Sequence, residues 1–250
     1  LKAAYSHSAF NYYGNTFGNE RNFSNENQTL GVFNLGVGVE SNQSDFINYR
    51  GFIDYKNFST KYGAALSDIG LKGNHFNAMV GLDKPFQDGS SRVGVDGEIL
   101  AVLYNEGINN FTLLSGKPYI AFEGLNWKAR LGADLLFQML GGTKFRVAPN
   151  VELGLKVTEH SSLYANIKGG IDDNTYLDMM SESRYIAPMI PVKSSFSIVD
   201  IEAGAKIGEL SGFRFDIFGG FRKTENEHFF VLNHIYHDAL ATPYPFYVIE

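Results

Sequence analysis

The sequence predicts an all-β protein, a transmembrane antiparallel up-and-down β-barrel with roughly 12–14 strands in the 250 residues. Three observations carry this. Apolar and polar residues alternate with a period of two over long segments. The links between these segments alternate between short and long. No stretch has the 3.6-residue periodicity of a helix that would cover a sheet. The whole of 1–250 reads as one domain.

Successive side chains of a strand point to opposite faces, so a period of two marks two different surroundings. The chain opens on LKAAYSHSAF, with no charged-then-apolar leader. It reads as a strand already under way, as expected of a piece of a larger barrel. HFNAMVGLD then places Phe76, Ala78, Val80 and Leu82 on one side, and RVGVDGEILAV places Val93, Val95, Ile99 and Ala101. In LNWKARLGADLLFQ the odd positions Leu125 to Phe137 are apolar throughout, while the even ones include Lys128, Arg130 and Asp134. KFRVAPNVELGLKV sets Phe145, Val147, Val151, Leu153 and Leu155 against Arg146, Glu152 and Lys156. VDIEAGAKIG opposes Val199, Ile201 and Ile207 to Asp200, Glu202 and Lys206, and GFRFDIFGGFR opposes Phe213, Phe215 and Ile217 to Arg214 and Asp216. Many segments reach about 10 residues, the ~9–11 that cross a bilayer at a tilt. Outward aromatics near strand ends, such as Trp127, Phe137, Phe145, Phe213 and Phe221, suit interfacial girdles. A soluble β-sandwich or lipocalin-like barrel is the rival, with the apolar set turned inward.

Short links fall near Lys56–Asn57, Gln87–Ser90, Glu123–Gly124, Thr158–His160 and Glu209–Ser211. Longer ones fall at Ser67–Asn74, Asn105–Asn110, Leu140–Thr143 and Ile171–Ile198. Outer-membrane barrels have this asymmetry of tight turns and larger loops. Asn11–Gln28 breaks the scheme, being long where a short turn is expected.

Composition narrows the function. There is no cysteine, which excludes disulfides and thiolate chemistry. A net charge of −6 without a basic patch argues against nucleic acid as a partner. No window is apolar enough for a membrane-spanning helix. Twenty-one Phe, 14 Tyr and 27 Gly fit a β-rich, membrane-facing chain.

Arg184 to Asn233 carries a Pro-containing loop, a D-x-x-A-G-x-K strand, a short turn, an F-x-x-x-G-x-x-K-like strand and FFV-x-N. This stretch resembles the plug-less, TonB-dependent-receptor-like outer-membrane barrels of Bacteroidota. No plug domain and no TonB-contacting segment is visible in this sequence, and the closing YPFYVIE lacks the terminal aromatic residue common in such barrels. The resemblance implies the bacterial outer membrane as location. Outer-membrane lipid and lipopolysaccharide would be its surroundings, with other outer-membrane or periplasmic proteins as partners. It implies no catalytic residue and no cofactor.

Candidate chemistry is sparse. His228, His234 and His237 with Asp238 match no metal-ligand spacing and read better as a polar loop. His160 beside Ser161 and Ser162 suggests a serine hydrolase, but neighbours on a tight turn point apart and no third orienting group is evident. GGTK at Gly141–Lys144 opens no helix and reads as a hairpin turn rather than a phosphate loop. Asp172 and Asp173 lack the spacing of a Ca²⁺ loop. The excursion Asp172–Ser195, with Tyr176, Tyr185, Met179, Met180 and Met189, is a candidate constriction or binding loop. The strongest material is the polar face: Lys128, Arg130, Asp134, Arg146, Glu152, Lys156, Lys168, Asp200, Glu202, Lys206, Arg214 and Asp216, expected to line a lumen. The expected function is passage or binding of a small solute. A structural or assembly subunit of an outer-membrane complex is the alternative.

Overall fold

The computed structural model describes residues 1–11, 27–42, 46–62, 70–86, 89–105, 109–139, 143–184, 193–210, 212–232 and 246–249. Eleven strands form one antiparallel sheet in which every neighbour in sequence is a neighbour in space. They are β1 (Lys2–Asn11), β2 (Asn27–Glu40), β3 (Asn48–Thr60), β4 (Lys72–Pro85), β5 (Ser91–Tyr104), β6 (Phe111–Glu123), β7 (Trp127–Met139), β8 (Thr143–Thr158), β9 (Ser161–Asp172), β10 (Ser195–Leu210) and β11 (Phe213–Glu225). A short helix, α1 (Tyr176–Glu182), lies between β9 and β10, and β12 (Phe229–Leu232) pairs with β13 (Phe246–Ile249). A strand of 13 residues such as β7 is about 43 Å long, so a tilt of about 40° gives a span of about 33 Å.

Three expectations are corrected. The sheet is not closed into a barrel: among the described residues β1 pairs only with β2, and β11 only with β10. Lys56–Asn57 is no turn. Lys56 pairs with His75 and Asn57 with Asn74 inside the β3–β4 ladder. The short link lies instead at 41–47, where the Ser41 N–H reaches the Tyr49 carbonyl at 2.8 Å. Moving that turn restores the alternation, because 12–26 then falls at the same end as the connections 61–71, 105–110, 140–142 and 173–194. Finally, the long excursion contains a helix where a structureless loop was expected.

Register defines two faces. Cross-strand partners share a face, and the ladders put Phe58, Gly73, Tyr104, Lys128, Gly154, Tyr164, Lys206 and Asp216 on one of them. On this inner face side chains from non-adjacent strands meet, β3 with β5 and β8 with β11, so the sheet curls toward it. On the opposite face Leu131 is 44% exposed, Val147 53% and Ile217 67%. No second sheet covers them among the described residues, so the apolar set is not sandwiched between two sheets. A monomer in water rarely exposes so wide an apolar surface.

Glycines on the inner face make room for long neighbours. A Cβ at Gly73 would sit 2.2 Å from the Phe58 ring, and one at Gly204 would sit 2.7 Å from that of Tyr164. Large side chains therefore fold flat over the adjacent strand, which lets the concave side tighten.

Candidate functional site

The inner face carries an ionic belt. The Asp96 carboxylate of β5 bridges two guanidinium groups, Arg50 Nη2 of β3 at 2.6 Å and Arg130 Nη2 of β7 at 2.9 Å. Gly81 of β4 lies under the first contact, where a Cβ would come within 2.5 Å of Arg50 Nε and 2.6 Å of Asp96 Oδ1. The Arg130 guanidinium also stacks 3.7 Å from the centre of the Tyr119 ring. Lys117 pairs with Glu98 at 3.1 Å, Lys168 with Glu152 at 2.8 Å and Arg146 with Glu225 at 2.6 Å. Asn150 Nδ2 donates to buried Asp134 at 2.8 Å. Lys206 lies 4.0 Å from Asp216, which also accepts a 3.4 Å hydrogen bond from the Tyr164 hydroxyl. Asp200 stands in register between Lys168 and Arg222, and Glu202 between Asn166 and Gly220.

Every one of the twelve polar-face residues, including Lys156 and Arg214, stands on this inner face. The ladder brings Glu152 and Lys168 together, and Lys206 and Asp216. The sequence reading missed Arg50, Asp96, Glu98, Lys117 and Tyr119. Their signal was present, since Asp96 and Glu98 alternate with Val95 and Ile99.

At the end of the longer links the inner face is filled instead of open. Thr175 caps α1, its hydroxyl accepting from the Asp178 N–H at 3.3 Å and donating to the Asp178 carboxylate. The Thr-x-x-Asp spacing was a legible cap signal. The Tyr176 N–H donates to the Tyr104 hydroxyl of β5 at 3.1 Å, and the Tyr176 ring lies 6.0 Å from that of Phe58 on β3. Met179 and Met180 are buried with Phe58 and Leu71, and Phe10 of β1 and Phe230 of β12 pack against the same cluster. A segment leaving β9 thus reaches across to β3 and β5. The turn before the helix is tied down by Asn174 (φ 49°), whose amide donates to the Lys193 carbonyl at 2.7 Å and to Ser195 Oγ at 2.8 Å. A second apolar cluster, Val102, Phe111, Leu113, Leu136, Ala148 and Phe196, extends this filled region.

Of the candidate loop residues, Tyr176 is buried in this packing and Asp172 is exposed at the end of β9. Asp173 is half-buried, and burial pushes its carboxyl up to about 7, with the nearby Asp178 charge adding to the effect. Tyr185 and Met189 lie outside the described residues.

The remaining candidates are not assembled. Ser161 Oγ lies 2.7 Å from Thr158 Oγ1, not on the His160 ring, so the turn holds no Ser–His pair. His228 meets Glu182 at 3.4 Å, while His234, His237 and Asp238 lie outside the described residues. Gly141 and Gly142 lie outside them too, and Lys144 belongs to β8. Among the described residues no group of three or more His, Asp or Glu is placed to hold a metal. Compared with known proteins, the chain matches no family model and no curated sequence.

Proposed function

We propose that this chain is the wall of a bacterial outer-membrane β-barrel of the plug-less, TonB-dependent-receptor-like kind, and that its charged inner face passes or binds a small solute. The observation that supports this is the inside-out arrangement. The apolar side chains stand on the exposed face and the ion pairs on the curled one. Lipid and the acyl chains of lipopolysaccharide would surround the outer face. Strands that satisfy one another's backbone groups suit such surroundings. In this reading α1 narrows the passage at the end of the longer links.

The same helix favours a second reading. With Met179 and Met180 fully buried and two apolar clusters filling that end, the inner side is occluded as it stands. A barrel so filled suits a structural or assembly subunit whose rims meet other outer-membrane or periplasmic proteins. Conductance in planar bilayers separates the two. A reconstituted chain that conducts, and conducts more when residues 176–189 are replaced by a short Gly-Ser linker, fits the solute reading. A folded, inserted chain that stays silent in both forms supports the structural one.

A further inference from the structure

The belt closes five basic groups of the inner face tightly against acids, while one end of the face gathers several cations that are not so closed. At the tight-turn end of β7 to β11 a cavity of about 750 Å³ is lined by Lys128, Lys156, Lys206 and Arg214. Lys128, Lys156 and Arg214 have no carboxylate within 4.0 Å among the described residues, and Lys206 has only Asp216 at the 4.0 Å limit. Elsewhere on this face the basic groups of the belt meet acids at 2.6 to 3.1 Å. Two acids line the cavity. Glu123 is shared with Arg92 at 3.4 Å, which leaves Glu159 on the β8–β9 turn. The cations come from four strands, so register and curl bring them together.

Like charges gathered in one concavity repel one another, and a low-dielectric wall focuses their field on whatever enters. The lining also supplies neutral donors, the Ser162 and Tyr164 hydroxyls and the Asn126 amide. Gly154 and Gly208 keep part of the wall low, and the Lys128 stem lies across Gly154. The result is a cradle of flexible ammonium groups and one planar fork, suited to a compact anion with several oxygens.

We propose that this cavity binds small multivalent oxyanions, of which a phosphate ester or diphosphate is the type. This rests on the inner face being a water-filled surface, as the solute reading holds, and names the class of solute that surface selects. A diphosphate reaches two or three of the cations at once. A neutral sugar of the same size gains only hydroxyl contacts.

The test is equilibrium binding of pyrophosphate, glucose 6-phosphate and glucose to the folded chain in detergent. Isothermal titration calorimetry reports occupancy directly. Pyrophosphate and glucose 6-phosphate should bind, glucose should not, and added salt should weaken binding. Lys156→Gln and Arg214→Gln should each weaken pyrophosphate binding by about tenfold, as the loss of a charge-assisted contact implies, and Lys128→Gln with both should abolish it. Lys72→Gln on β4, at the other end of the sheet, should change nothing. Since these sites are exposed at a strand end, circular dichroism should show intact strands in each variant. If a triple variant fails to fold, the two single variants carry the result. No pyrophosphate binding by the native chain, or equal binding by the triple variant, overturns the proposal. Conductance without binding refutes the anion cradle and leaves the passage reading standing. Binding without conductance does the reverse. Binding of vesicles containing phosphatidic acid but not of free pyrophosphate also refutes it, marking a lipid-headgroup contact instead.

Discussion

Consider Met180→Ala, which tests whether α1 is held by packing alone. The helix has seven residues, too few to persist in water by propensity. Burying Tyr176, Met179 and Met180 contributes about 5–9 kcal/mol, at about 1.5–3 each. The Thr175 cap adds about 1 kcal/mol, and the bond to Tyr104 about 1 more. Ordering the backbone of the helix costs about 7–14 kcal/mol, at about 1–2 per residue. The two sides cancel to within a few kcal/mol, so α1 stays docked only while its packing is intact. Met180 is 1% exposed. Truncating such a methionine costs roughly 2–5 kcal/mol, which lowers the docked-to-undocked ratio by about 25-fold or more. The chain has no cysteine, so a single introduced thiol reads the equilibrium cleanly. Ser181 is exposed on the docked helix and Met179 is buried. Met179→Cys should therefore react with a polar maleimide far more slowly than Ser181→Cys. Adding Met180→Ala should accelerate the Met179→Cys reaction by at least an order of magnitude and leave the strands intact. Equal labelling rates for Met179→Cys and Ser181→Cys in the native background would refute the docking. An unchanged rate on adding Met180→Ala would refute the energetics.

Three further outcomes follow. Leu131→Arg puts a cation on the exposed apolar face and should cost about 2–4 kcal/mol in urea titrations of the vesicle-refolded chain, whereas Asp134→Asn on the inner face should cost clearly less; equal losses would contradict the assignment of faces. Gly81→Val pushes a side chain between Arg50 and Asp96 and should cost about 1–3 kcal/mol, with Arg50→Ala in the same chain recovering part of the loss in the same titration. Asp173 has a docked-state pKa of about 7 against about 3.9 when free, so its protonated form favours docking. That contribution is complete below pH 4 and is lost as pH rises to 7, so the Met179→Cys rate divided by the Ser181→Cys rate at the same pH, which cancels the thiolate fraction, should be higher at pH 8 than at pH 5, and Asp173→Asn should flatten that ratio. Asp178, Asp172 and Glu98 all push this carboxyl in the same direction.

How much was legible can be traced residue by residue. Period-two alternation is a local property, because each side chain's face follows from its neighbour's. The sequence alone therefore assigned all twelve polar-face residues to one side and Leu131, Val147 and Ile217 to the other. Tight turns such as 159–160 were also local. Turn position was less secure where polar residues continue through a strand. Lys56 and Asn57 look like a turn in sequence, but the ladder to His75 and Asn74 overrides them. Register and curl were decided only in three dimensions. Arg50, Asp96 and Arg130 lie on β3, β5 and β7, and nothing in their spacing says that one carboxylate will bridge both guanidinium groups. That depends on Gly81 leaving space and on the sheet bending inward. The docking of α1 is of the same kind. Its cap is written in Thr175 and Asp178, but its partners Phe58 and Tyr104 are supplied by strands far away in sequence. The meeting of Lys128, Lys156, Lys206 and Arg214 in one cavity is another product of register. Closure of the sheet is the most global property of all. It needs the first and last strands to find each other, and no alternation of residues along a single strand encodes that.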